Sequence, residues 1–243
     1  MARYHGVEIT WLGHSTFQLT TAAGKRILVD PWLAGNPQCP PQYHQATFDA
    51  ILITHGHGDH IGDFQTACAN CSGPIVGIYD LTTWLAAQGV EGELVGMNKG
   101  GTVPLDAVGV QVSMTDARHS STFTMEDGTV VPLGEPAGFV IRFSDDFTLY
   151  VAGDTSLFGD MALIRDLWAP DAAILPIGDW FTMDPRQAAH ACKLLGVTSV
   201  IPCHYGTFPL LSGTPAELAR WLGPEELNLD VEVVTLTPGQ SAT

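Results

Sequence analysis

Basic residues are scarce in this chain. Ten Lys and Arg stand against 26 Asp and Glu among 243 residues, a formal net charge of −16, and only Lys25 and Arg26 are adjacent. Nucleic-acid affinity rests largely on Lys and Arg that neutralise phosphates, so a polyanion meets long-range repulsion and no basic face on which to land. Long apolar runs are missing too. No stretch approaches the roughly 20 residues of a membrane span, and Met1 to Gly6 carry no apolar signal segment, so the expected location is cytoplasmic. Cysteine is limited to five, an odd number that favours reduced thiols over a disulfide framework. Cys68 and Cys71 form one C-x-x-C with no second pair to close a zinc site, and they fall within an apparent helix, which points to structural thiols. Compositional seams, fixed-period repeats and low-complexity segments are also missing, and a single domain over 1–243 is expected.

What is present is a core. Apolar residues make up 45% of the chain and charged residues 15%, a balance that buries surface and argues against disorder. Residues 7–12, 16–20 and 26–29 read as a strand meander ended by Asp30-Pro31. Residues 34–45, with prolines at 37, 40 and 41, read as a surface loop. Strands follow at 50–53, 75–78, 110–115, 138–143, 147–151, 172–175, 199–203 and 231–236. Helices are expected at 61–71, 81–87, 157–167, 185–195 and 215–222, with Pro185 as a first-turn proline. The pattern is an α/β or α+β sandwich, two sheets flanked by helices.

The chemistry concentrates where strands run out. Thr54-His55-Gly56-His57-Gly58-Asp59-His60 packs three histidines and an aspartate between a strand and a helix. A compact turn aims His55 and His57 at one ion and Asp59 and His60 at a neighbour, with Gly56 and Gly58 removing side chains that would obstruct the backbone. Imidazole and carboxylate suit zinc or a similar first-row ion. Further ligands are offered by His119, Asp154 and His204, each just beyond an expected strand.

These motifs resemble the metallo-β-lactamase superfamily, with its H-x-H-x-D-H followed by distant His, Asp and His. More narrowly, Trp11 to Ser15, Asp30-Pro31, Thr54 to Gly62, His119 to Ser121, Gly134 to Gly138, Gly153 to Thr155 and Pro202 to Tyr205 resemble a family of poorly characterised metal-dependent hydrolases that is similar to L-ascorbate-6-phosphate lactonase. The resemblance implies a four-layer αββα sandwich and two divalent ions, zinc first, with manganese or iron as alternatives. It assigns His55, His57 and His119 to one metal, Asp59, His60 and His204 to the other, and Asp154 to a bridge between them. Two positions depart from the family pattern. Asp179-Trp180 stands where relatives tend to carry Gly-Asn, and Cys203 where methionine is frequent. Cys203 is expected to point away from His204 into the core.

His14 is expected beside the site, touching a ligand or the substrate, whereas His5, His44 and His190 have surface or packing roles. For Asp30 a turn-forming role and the orientation of a metal ligand both stay open. The expected function is hydrolysis of a small-molecule ester, lactone or amide by a hydroxide shared between the metals, with Asp59 orienting it and moving its proton. Cleavage of a small phosphodiester, a di-iron oxidoreductase and a metal-holding regulatory protein are the competing readings. The expected partner is a small molecule, with no nucleic acid or membrane, and a homo-oligomer is compatible with this. Residues 34–45 and 179–184 are expected to line the pocket, with Trp180, Phe181 and Met183 as apolar walls.

Overall fold

A computed structural model describes residues 4–243. Residues 1–3, the head of the expected entry into the first strand, lie outside the described residues. Strands β1 (Glu8–Trp11), β2 (Phe17–Thr20) and β3 (Arg26–Val29) form the meander, and β4 (Ala50–Leu52), β5 (Ile75–Ile78) and β6 (Leu94–Met97) extend it in parallel. The second sheet holds β7 (Thr102–Leu105), β8 (Val110–Asp116), β11 (Ala137–Phe143), β12 (Thr148–Val151), β13 (Ala172–Pro176), β14 (Ser199–Cys203) and β15 (Glu232–Val233). A small ribbon of β9 (Thr122–Thr124) and β10 (Val130–Pro132) stands apart, and β16 (Ser241–Ala242) returns to pair with β1. The first sheet therefore reads β16-β1-β2-β3-β4-β5-β6 and the second β15-β14-β13-β12-β11-β8-β7.

Side-chain alternation explains the layering. Along β11 to β14, Phe139, Ile141, Leu149, Val151, Ile174 and Ile201 face the core shared with the first sheet. Their neighbours Val140, Tyr150, Ala173 and Val200 face a second core, built with α4 (Met161–Trp168), α5 (Pro185–Leu195) and α6 (Pro215–Leu222). Helices α1 (Gly58–Ile61), α2 (Phe64–Ala69) and α3 (Tyr79–Ala87) follow the strands of the first sheet, and α2 and α3 contribute Phe64, Leu81 and Leu85 to its core. The result is the four-layer αββα sandwich.

Several expected elements change in detail. The helix expected over 61–71 is two short ones, because Asp63 turns its carboxylate to accept the Leu33 and Gly35 amides and so interrupts the run. Cys71 consequently lies outside the helix, bridged to Phe48. The strand expected over 231–236 shrinks to Glu232–Val233 at the sheet edge. Helix α4 starts at Met161 rather than Leu157, and α3 starts two residues earlier than expected. Strand β7 went unread because Pro104 lies within it; proline is tolerated there since β7 is an edge.

Register places the site. Pairing of Phe139 with Val151, Val151 with Ile174 and Ile174 with Ile201 aligns the ends of β12, β13 and β14, while β8 ends opposite the start of β11. Ala137 N donates to Thr54 O at 3.0 Å and His204 N to His14 O at 3.0 Å, so the two sheets are tied where their chemical loops emerge. Phe139 is buried between the sheets. Phe139→Ala is expected to lower stability by about 3–5 kcal/mol through the cavity it leaves, read from the urea midpoint at unchanged slope.

Candidate metal centre

Eight of the residues singled out in the sequence converge. His55, His57 and His119 present ligand atoms within 4.8 Å of one another; so do His55, His60 and Asp154, and so do His14, Asp59, His60 and His204. Asp154 joins the groups: its Oδ2 lies 3.0 Å from His204 Nε2, 3.5 Å from His119 Nε2 and 4.0 Å from His55 Nε2, and its Oδ1 lies 3.3 Å from His60 Nε2. The turn carrying Asp154 needs Gly153, whose φ is +61° and where a Cβ would meet Ala137 O and Thr54 Cβ at 2.8 Å.

Three hydrogen bonds to outer partners fix which nitrogen points inward. Thr54 spends its one hydroxyl hydrogen on Asp30 Oδ2 at 2.8 Å, so toward His55 Nδ1, 3.0 Å away, it accepts. Thr207 likewise donates to Gln38 Oε1 at 2.9 Å and so accepts from His14 Nδ1 at 2.9 Å. Asp30 Oδ2 accepts from His60 Nδ1 at 2.8 Å. Each ring thus carries its proton outward and turns Nε2 inward, the arrangement that orients metal-ligating histidines.

The inward atoms crowd one another. His55 Nε2 is 3.0 Å from His57 Nδ1, which is 3.2 Å from His119 Nε2. Tetrahedral bonds of about 2.0 Å separate neighbouring ligand atoms by about 3.3 Å, so this trio has the spacing of three ligands around one ion. His14 Nε2 faces Asp59 Oδ2 at 3.1 Å, two acceptors that a cation reconciles. His60 Nε2 and Asp154 Oδ1 are buried without a hydrogen bond among the described residues. The residues fit bound metal.

The electrostatics agree. Burial holds the His14 pKa down at about 4, and it lowers those of His55, His57 and His119 as well. For His60 burial acts the same way, but Asp154 and Asp30 on either side outweigh it and push the pKa well above the ordinary value. Burial raises Asp154, yet His204 and His60 more than offset it and hold the carboxyl ionised. Asp59 is likewise kept ionised, burial being overcome by the contact with His14 and the charge on His60.

The surroundings correct several expectations. Gly56 is needed, since a Cβ there would lie 2.6 Å from Leu133 Cδ1, but at Gly58 nothing lies within 4 Å, so the second glycine clears no obstruction. Asp30 both ends its strand, at φ +53°, and holds His60, so its two candidate roles coexist. Cys203 lies in the inter-sheet core with its thiol pKa raised by burial. A cleft of about 370 Å³ opens over the cluster, lined beyond the cluster's own side chains by Ser120, Phe181 and Phe208. Met183 is fully buried in the helical core and is no wall. Trp180 is exposed outside that lining, and the 34–45 loop contributes Gln38 behind His14 rather than a wall in front of it. Phe208, Thr207, Gln38 and Ser120, whose Oγ is 3.3 Å from His57 Nε2, were not singled out by the sequence. The motif Cys-His-Tyr-Gly-Thr-Phe, which runs straight from His204 to Phe208, was the available signal for two of them.

Residues 25–205 match the sequence profile of the beta-lactamase superfamily domain. The chain belongs to that superfamily. It is 48% identical over 240 residues to the UPF0173 metal-dependent hydrolase of Roseiflexus sp. (strain RS-1), a match covering 97% of this chain and 96% of the relative. It is 47% identical over 236 residues to the UPF0173 metal-dependent hydrolase of Rubrobacter xylanophilus, covering 97% and 96%. Among solved structures it is similar to Igni18, a novel metallo hydrolase from the hyperthermophilic archaeon Ignicoccus hospitalis, at 36% identity, TM-score 0.82 and 97% coverage of both chains. The superfamily resemblance drawn from the motifs therefore holds.

Two measurements follow from this geometry. Thr207→Val removes the acceptor behind His14 and is expected to weaken metal binding about 10–100-fold, read by competition with a chromophoric chelator. Unchanged affinity would show that the orientation of His14 has no part in metal binding. Because metal displaces the His60 proton, binding is expected to release protons, and affinity to fall about tenfold per proton for each pH unit below the raised His60 pKa. Calorimetry in buffers of different ionisation enthalpy counts those protons.

Proposed function

We propose that this chain is a hydrolase that uses two divalent ions, zinc first and manganese or iron as alternatives, to cleave an ester, lactone or amide bond in a small molecule. The observation that carries the reading is the inward aim of the ligand atoms. His55, His57 and His119 would hold one ion and Asp59, His60 and His204 the other, and Asp154 lies within 4.0 Å of a histidine from each group. The relatives named as metal-dependent hydrolases support it. When bound, such ions supply Lewis acidity, which acidifies water and draws negative charge from a carbonyl or phosphoryl oxygen.

The chain's own residues do the rest. Asp59 lines the cleft as a carboxylate and takes the proton of the attacking water, then returns it to the leaving oxygen or nitrogen. His14 turns Nε2 toward Asp59, 3.1 Å from its Oδ2, while Thr207 and Gln38 stop the imidazole from turning. Phe181 and Phe208 narrow the entrance and exclude bulk water from the reacting bond. The substrate is a small molecule free in solution, since the acidic chain offers no nucleic-acid surface and none of its described helices is long and apolar enough to cross a membrane.

Metal analysis of protein purified without added metal, followed by a panel of lactones and bis(p-nitrophenyl) phosphate with and without chelator, tests the reading. Two ions per chain and chelator-sensitive hydrolysis of the acyl substrates are expected, with His57→Ala losing metal and activity together. Hydrolysis by His57→Ala at the parental rate would sink the metal mechanism, and preference for the phosphodiester would replace acyl with phosphoryl chemistry.

A further inference from the structure

The walls of the cleft constrain the substrate further than the metal ligands do. Phe181 is 53% exposed and Phe208 40%, both in the cleft lining, and the exposed Trp180 ring lies 6.4 Å from that of Phe181, so exposed aromatic surface gathers at this mouth. Topology gathers them: β13 and β14 are parallel neighbours, and the loops leaving their carboxyl ends emerge side by side. The backbone adds its own sign. Asp179 and Trp180 hold φ of +68° and +53°, a region that residues with large side chains avoid and that surrounding structure must enforce.

Charge at the mouth points the same way. No Lys or Arg lines the cleft, whereas the carboxylates of Asp59 and Asp154 do. Arg118, adjacent in sequence to His119, lays its guanidinium over the Phe158 ring, 5.5 Å from the centroid, and is not part of the lining. A phosphate carried away from the bond to be cleaved finds no counter-ion on these walls and approaches a chain of net charge −16. A flat apolar group finds two aromatic rings.

On the hydrolase reading above, we infer that the substrate is an uncharged ester or lactone carrying an aryl group, held by Phe181 and Phe208, and not a phosphorylated sugar lactone. The cleft of about 370 Å³ lies near the lower end of small-molecule sites, which admits a ring system and little more. Phe181 and Phe208 set specificity here, and Trp180, its ring 6.4 Å from that of Phe181, extends the apolar rim.

Zinc-loaded protein of measured metal content should be assayed with γ-phenyl-γ-butyrolactone and with 6-phosphoglucono-δ-lactone. The phenyl lactone is expected to lead by at least about tenfold in kcat/KM. Phe181→Ala and Phe208→Ala are each expected to raise its KM about 3–10-fold with zinc content retained, and the Leu variants to recover part of the loss. Preference for the phosphorylated lactone, or an unchanged KM in both Ala variants, would overturn the assignment. Should neither lactone turn over, calorimetric titration with 3-phenylcyclopentanone, which has no ester to cleave, separates the two readings. Binding that weakens in Phe181→Ala and Phe208→Ala supports the aryl site and removes the lactone as its substrate. No binding overturns the aryl site as well.

Discussion

The carboxylate of Asp154, 2% exposed, is the constraint on which the rest of this molecule turns. An ionised carboxyl buried alone is strongly unfavourable, and it persists only where paired charge and hydrogen bonds replace water. Four histidines from three separate loops surround it within 4.0 Å. Those loops reach it only because two sheets end at the same level and are tied there by Ala137 to Thr54 and by His204 to His14. The sandwich is therefore a device for bringing strand ends together, and the inter-sheet core supplies the stability against which a charged cluster is held.

Around the cluster the backbone repeatedly takes conformations that most residues avoid. His14, Asp30 and His204 all have φ between +52° and +55°. Each such residue costs about 1–3 kcal/mol and survives where surrounding structure over-determines it. Here Thr207 and Gln38 fix His14, Thr54 and His60 fix Asp30, and the sheet-to-sheet amide bond fixes His204. Proteins accept such local instability where function needs a set geometry: His14 and His204 turn Nε2 into the cluster, and Asp30 holds His60 from behind.

The departure at Asp179-Trp180 belongs to the same economy of strain. Glycine and asparagine enter the left-handed region readily, so a Gly-Asn pair would sit there without difficulty. This chain places an aspartate and a tryptophan in it and exposes the aromatic side chain beside the cleft. The change lies on the loop and not among the metal-facing residues, which is where one fold varies what it recognises while keeping its chemistry.

The sequence by itself determined the candidate ligands, because few residue types bind a first-row metal and four of the seven positions fall within six residues, His55 to His60. It also determined the layered class and most strands, since a strand buried on both faces leaves a short apolar run that periodicity detects, as at 50–53 and 199–203. The two-residue β16 leaves no such pattern, β7 was hidden by its proline, and the apolar run at 231–236 overstated the two-residue β15. Only the tertiary structure decided which nitrogen of each imidazole faces inward, because that depends on a partner distant in sequence: Thr207 is 193 residues from His14, and Gln38 is 169 from Thr207. It also decided the walls of the cleft, putting Phe208 in and Met183 out, since local sequence sets whether a side chain is apolar but only the packing of helix against sheet sets which side of the loop it is on.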